Sequence, residues 1–289
     1  MSNLQLFATC TAIWGSTWIA ITFQLGGVAV EASVAYRFLI GSAIAFGYCL
    51  ARGLSLRFTG AQHRWIAFQG VLMFSLSYVA VYHAEKYIVS GLVAVAYSAS
   101  PLLNLVMMRV IFGTPMSGRV ALGGVLGIVG IVLVFWPEFA RFEAGGDPAL
   151  GAFLAVLSVL ISAAGSMAAH RSHALQLPLW PTMAWGMLYG ALLTFVYALA
   201  TGQSLGFDPS FAYVASLVYL AAVGSILAFG AYLTLLGRIG AARAGYVGVM
   251  VPIVALAISW AFEGFQWTWL AAAGVVVSVV GNVVILRRE

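Results

Sequence analysis

The chain has 289 residues, 63% of them hydrophobic and only 7% charged, where a typical soluble domain carries about 25% charged residues. That composition excludes a soluble domain, and the net charge of +5 does not point to nucleic acid, because the arginines gather in short links between apolar stretches. The prediction is an all-α, polytopic membrane protein, since helices satisfy their own backbone in lipid and about 20 apolar residues cross a bilayer.

In chain order the apolar spans are Leu4–Phe23, Ala32–Ala51, Trp65–Ala84, Gly91–Phe112, Val120–Trp136, Ala149–Ala169, Thr182–Ala200, Phe211–Leu236, Ala244–Phe262 and Trp267–Leu286. Ten transmembrane helices are therefore expected. The first, with no basic n-region and no clear small-residue cleavage site, reads as a retained helix and not as a signal peptide. Cys10 and Cys49 lie in apolar spans without metal-ligand spacing and read as small apolar side chains. Arg52, Arg57, Arg64, Arg109, Arg119, Arg171, Arg238, Arg243, Arg287 and Arg288 all fall on one side if the spans alternate. The other side has Lys86 and Arg141 together with Glu31, Glu85, Glu138, Glu143, Asp147, Asp208 and Glu263. Positive residues mark the cytoplasmic side, so both termini are expected there.

A duplication is legible in the same stretches. Pro101 and Pro252 interrupt the fourth and ninth spans 151 residues apart, and Gly113 and Gly264, Gly123 and Gly274, and Gly130 and Gly281 keep that spacing. Residues 1–136 are predicted to form one five-helix repeat, 137–148 an extracytoplasmic linker, and 149–289 a second repeat. Five is odd, so the second repeat is inverted, an arrangement that carriers use. Paired interrupted helices also point to a central binding site. Gly123, Gly127 and Gly130 with Gly274, Ser278 and Gly281 are small-residue spacings that bring helices close, either to each other or in a homodimer through spans 5 and 10.

No nucleophile, carboxylate pair or metal cluster lies in the apolar core, which argues against an enzyme, and no metal or cofactor is expected. His170 and His173 close the sixth span as interfacial residues. A transport pocket is the better reading. Tyr78 and Tyr82 share a face of the third span, with Ser75 near and Glu85 a turn beyond. Tyr97, Pro101 and Asn104 align on the fourth, flanked by Ser98 and Ser100. Trp14, Ser16, Thr17 and Trp18 stand on the first span, Gly165 and Ser166 on the sixth, Trp185 on the seventh, and Tyr246 and Met250 on the ninth. Aromatic walls with a few hydroxyls and an amide suit a small, partly polar ligand. The alternative for each aromatic is lipid contact or core packing, and Tyr82 and Trp185 have the positions of interfacial belt residues. Tyr78, Tyr97 and Asn104 lie deeper, where an unsatisfied polar group facing lipid is costly, and are expected to face the interior. Arg37 is the one arginine well inside a span, expected to latch an outer gate through Glu263 or Glu85, with substrate contact as its second reading. His83 sits near the same end, with packing or proton coupling as its two readings.

These features together, with Trp14–Ser16 (WGS), Tyr36–Phe38 (YRF) and Phe262-Glu263-Gly264 after the ninth span, resemble the drug/metabolite transporter superfamily. The EamA type is the closest form, and the chain looks most like the YddG amino-acid exporters. The family often has a glutamate after the fourth span, where this chain has Phe112-Gly113-Thr114. The resemblance implies a bundle around a cavity lined by helices 1–4 and 6–9 and export of small metabolites, aromatic and hydrophobic amino acids above all, across a bacterial inner membrane. Multidrug or other-metabolite export would share every feature, and a non-transporting scaffold or receptor is the rival from another class. The expected mechanism is alternating access, with helices 3–4 and 8–9 hinging at Pro101 and Pro252. The shortage of intramembrane carboxylates favours facilitated flux.

Overall fold

A computed structural model describes residues 1–140 and 147–286. Arg141, Glu143, Gly145, Gly146, Arg287 and Arg288 lie outside the described residues, as do the side chains of Glu138, His173 and Arg243. The helices are α1 (Asn3–Thr22), α2 (Val30–Ala51), α3 (Gly60–Ala84), α4 (Ser90–Phe112), α5 (Gly118–Ala140), α6 (Pro148–Ala174) and α7 (Leu179–Ala200). Then follow α8, built of Phe211–Val218, Tyr219–Leu227 and Ala228–Ala244, α9 (Tyr246–Phe262) and α10 (Trp269–Leu286). Among the described residues nine helices are long and apolar enough to cross a membrane, and α9, at 17 residues, is a shorter apolar tenth. Inside these spans only 28% to 50% of the residues are buried. The rest is an apolar outer face, such as Leu122, Val125, Val129 and Val132 on α5, which water would not tolerate at this extent and lipid does.

Local chemistry sets several ends. Ser2 with Gln5 and Thr59 with Gln62 form reciprocal capping boxes at the starts of α1 and α3. Gly113 (φ 70°) and Gly264 (φ 72°) adopt the left-handed conformation just past α4 and α9, which only glycine enters without strain. They are a pair in the 151-residue register, so the duplication extends to backbone geometry.

Two helix ends differ from the sequence expectation. Helix α5 runs through Pro137 to Ala140 instead of ending at Trp136. Helix α8 continues past Leu236 to Ala244, because its alanine- and arginine-rich end favours helix, and the expected arginine loop shrinks to Gly245 alone. The two intramembrane prolines also behave differently. Helix α4 breaks at Ser98–Ala99, where Ser98 and Ala99 turn back to Val95 and Ala96 (3.0 and 3.1 Å), and Pro101 sits in the first turn of a second half-helix, where it displaces no bond. Pro252 lies inside an unbroken helix. Unanticipated by any residue pattern, α3 and α8 each widen to a π-turn, at Leu72–Leu76 and Tyr219–Leu227. In the second, the Ser225 hydroxyl donates to Leu220 O at 3.0 Å.

The helices pack in a pattern that repeats when each is exchanged for the one five places on. Helices α5 and α10, α2 and α7, and α4 and α9 pair across the halves, while α1 on α8 is answered by α6 on α3, and α2 on α8 by α7 on α3. Helices α5 and α10 meet backbone to backbone. A Cβ on Gly123 would stand 2.6 Å from Gly281 O, and one on Gly130 2.5 Å from Gly274 O, with the converse approaches equally tight. Residue pairs that correspond in the two halves thus cross over and meet each other, the signature of a two-fold relation. The glycine faces are occupied within the chain, so a homodimer through α5 and α10 would have to use their outer faces.

Candidate functional site

The central aromatic group assembles from the first four helices. Trp18 on α1 packs against Tyr97 on α4 with ring centroids 5.1 Å apart. Tyr97 stands at the end of the first half of α4, where the break turns it among Ser77, Ser158 and Ser162. Tyr78 on α3 meets the edge of Phe38 on α2 at 4.8 Å, and Phe38 in turn meets Phe74 at 5.3 Å. Of the residues proposed from sequence, Trp18, Tyr78 and Tyr97 therefore converge on one core. Among the buried polar atoms without a hydrogen-bond partner are Trp18 Nε1 and, two helical turns beyond Tyr97, Asn104 Oδ1.

Other candidates are placed elsewhere. Trp14 donates from Nε1 to Gly224 O (3.2 Å) and packs on Phe229 and Tyr232, so it seals α1 against α8. Tyr82 is fully buried and donates to Gln24 Oε1 at 3.0 Å. Trp185 stacks on Tyr189, meets Phe46 and His63, and donates to Leu56 O at 3.1 Å, an aromatic cluster that ties α7 to the α2–α3 link. Ser98 bonds back to Val95 O and lies 3.2 Å from Ser278 on α10. With Pro252 and Asn282 these two serines line a separate small cavity of about 20 Å³ between α4, α9 and α10. Ser166 donates to its own helix at Ser162 O (3.0 Å). On α9, Met250 is 38% exposed and Tyr246 is half-buried.

The expected charged latch takes another form. Glu263 does not reach Arg37. Its carboxylate accepts from Ser90 N (3.1 Å), Ser90 Oγ (2.6 Å) and Ser259 Oγ, and Ser259 Oγ accepts from Gly91 N at 2.9 Å. The first turn of α4 is a ready partner for an anion, because its backbone N–H groups are free and the helix dipole is positive there. This clasp joins the start of α4 to the end of α9. Ser90 and Ser259 were not singled out from sequence, although the i, i+4 spacing of Ser259 and Glu263 was visible. At the same end, His83 Nε2 and Glu31 Oε1 lie at hydrogen-bond distance, 3.0 Å apart.

Arg37 and Glu85 make no ion pair with these or with each other. Arg37 is 3% exposed and lays its guanidinium 4.5 Å over the Tyr78 ring, a cation–π contact. Its Nε and Nη1 have no acceptor. Glu85, 7% exposed, has no donor to either carboxylate oxygen.

Two packed five-helix halves, related by exchange and closed at one end by a serine–glutamate clasp, coincide with a doubled match to known proteins. The EamA-like transporter family matches residues 2–136 and again residues 149–287. The chain belongs to the EamA-like transporter family. The E. coli protein named "Uncharacterized inner membrane transporter YedA" is 27% identical over 96% of this chain and 90% of its own length. "Uncharacterized transporter YdfC" of Bacillus subtilis is 22% identical over 93% and 86%. A solved crystal structure superposes on 98% of this chain and 96% of its own with a TM-score of 0.69 at 18% identity, which shows that the two share a fold. This EamA protein is a multi-pass inner-membrane transporter built as two repeats.

Proposed function

We propose that this transporter exports amino acids with aromatic or hydrophobic side chains from the bacterial cytoplasm by alternating access of two inverted repeats. It acts as a facilitative carrier, without chemistry on its cargo. The observation that carries the reading is an asymmetry in the packing. Near the end that holds the clasp, α1 packs on α4 and α4 on α9. Exchange of the repeats would place α6 on α9 near the other end, and there no comparable packing exists among the described residues. The second half of α4, Ser100–Phe112, has no buried residue, and Gly248 on the facing stretch of α9 is exposed. One end is closed and the other is loose. The arginine distribution assigns the closed end to the outside, which makes this the state in which an exporter loads its cargo. The reciprocal glycine contacts of α5 and α10 support the inversion, and α4 rocks at its break at Ser98–Ala99 before Pro101, while α9 rocks at Pro252, where the proline removes a backbone bond within the continuous helix. Trp18, Tyr97, Tyr78 and Phe38 offer apolar surface for the cargo side chain.

Counterflow of labelled L-phenylalanine into liposomes that hold the purified protein tests this. Uptake competed by tryptophan and unchanged by a pH gradient is expected. No uptake of phenylalanine, tryptophan or threonine would overturn the amino-acid assignment and leave the fold untouched. Uptake stimulated by the gradient would overturn facilitated flux.

A further inference from the structure

The clasp and the His83–Glu31 pair satisfy three of the charged groups at the closed end. Arg37 and Glu85 are left with unsatisfied polar atoms. Both are more than nine-tenths buried, they interact electrostatically, and yet neither pairs with the other. Removing an ionised group from water without a partner is among the costliest arrangements in a protein. Something of complementary charge belongs against each of them.

Their placement says what. Tyr78, Tyr82 and Glu85 follow one another at i, i+4 and i+7, so they form a single stripe along α3. Arg37 on α2 faces that stripe: its guanidinium lies flat on Tyr78 and it interacts with both Tyr82 and Glu85. The ring contact holds the plane of the cation and leaves N–H groups at its edge. A guanidinium and a carboxyl group thus come within electrostatic reach of each other at the outer edge of the aromatic core, with Tyr78 and Phe38 beneath the guanidinium and Tyr97 and Trp18 packed on each other beyond.

Resting on the amino-acid reading above, we propose that Arg37 and Glu85 are the two poles of a zwitterion site, Arg37 taking the α-carboxylate and Glu85 the α-ammonium of the substrate. The side chain of the bound amino acid then points toward Tyr78, Tyr97 and Trp18. The arrangement explains why the two residues are close without being bonded: the ligand completes an alternating row of four charges. It also makes the site selective for free amino acids over simple amines and simple acids of the same shape, because either of those leaves one pole buried and unpaired.

The test is competition against labelled L-phenylalanine binding to the purified full-length protein. On the wild type, N-acetyl-phenylalanine lacks the ammonium and phenylalaninamide lacks the carboxylate. Each is expected to bind more weakly than phenylalanine by roughly tenfold or more, the usual consequence of stranding a buried charge. Arg37→Gln should narrow the gap between phenylalanine and its amide, and Glu85→Gln the gap between phenylalanine and its N-acetyl form, each variant leaving the other gap in place. If both analogues compete with wild-type protein as well as phenylalanine does, the poles are not in the site and the inference fails, while the amino-acid reading stands. If either variant weakens phenylalanine and both analogues by the same factor, the pair is structural, and the inference fails again. If phenylalanine, tryptophan and threonine all fail to bind wild-type protein, the amino-acid reading falls and this inference falls with it. The wild-type comparison needs no variant to fold.

Discussion

Glu263 shows how much one side chain does at the closed end. Its carboxylate gathers two serine hydroxyls and a backbone N–H from α4 and α9, and hydrogen bonds to a charged acceptor contribute about 1.5–3 kcal/mol each. Glu263→Gln keeps the shape and removes the charge, so the clasp should open more often. In a background without Cys10 and Cys49, labelling of Leu92→Cys, which is fully buried behind the clasp, by an impermeant maleimide from outside should rise roughly tenfold, as the loss of one such bond implies. An unchanged labelling rate would show that packing alone keeps this end shut. Arg37, by contrast, would have been misjudged from sequence alone, as the expected partner Glu263 is already held by the first turn of α4.

At the scale of helices, α5 and α10 are held by absence of side chains. Their glycines bring backbone against backbone, where dispersion contacts and not the hydrophobic effect hold helices together in lipid. Gly130→Val would place a methyl-bearing Cβ against Gly274 O and Ser278, costing about 1–3 kcal/mol or more. Gly127→Ala meets nothing within 4 Å and should be neutral. Melting temperatures in detergent separate the two, and equal values would mean that α5 and α10 part easily. The π-turns of α3 and α8 stand in matching places of the two halves, so the duplication preserved a local distortion that no proline or glycine run announces.

For the whole molecule, the main consequence of two repeats is that they need not be in the same state. Packing near the clasped end and looseness near the other are two ends of one exchange. Gly248→Cys should therefore label readily from the cytoplasmic side while Leu92→Cys stays protected from the outside. An excess of phenylalanine outside should slow Gly248→Cys labelling only if the cargo stabilises one state over the other. Protection of Gly248→Cys and reactivity of Leu92→Cys would mean that the protein rests open to the outside in the membrane.

Span number, the two repeats and their register were all readable from the chain itself. Lipid demands apolar runs of fixed length, and duplication leaves Pro101 and Pro252, Gly113 and Gly264, and the glycines of α5 and α10 at one constant spacing. The aromatic residues Trp18, Tyr78 and Tyr97 could be named as well, because buried hydroxyls and indoles deep in a span must find the interior. Which of the aromatic candidates meet could not be read, since a helix in a membrane bundle is apolar on every side and its periodicity does not say which face is inside. Tyr82 and Trp185 both have belt positions in the chain, yet Tyr82 is fully buried on Gln24 and Trp185 joins the α2–α3 link. Partner choice among charges was likewise decided by the tertiary structure: Glu263 goes to a helix start only because α9 ends beside it, and that proximity is what keeps it from Arg37, whose guanidinium lies on Tyr78 instead.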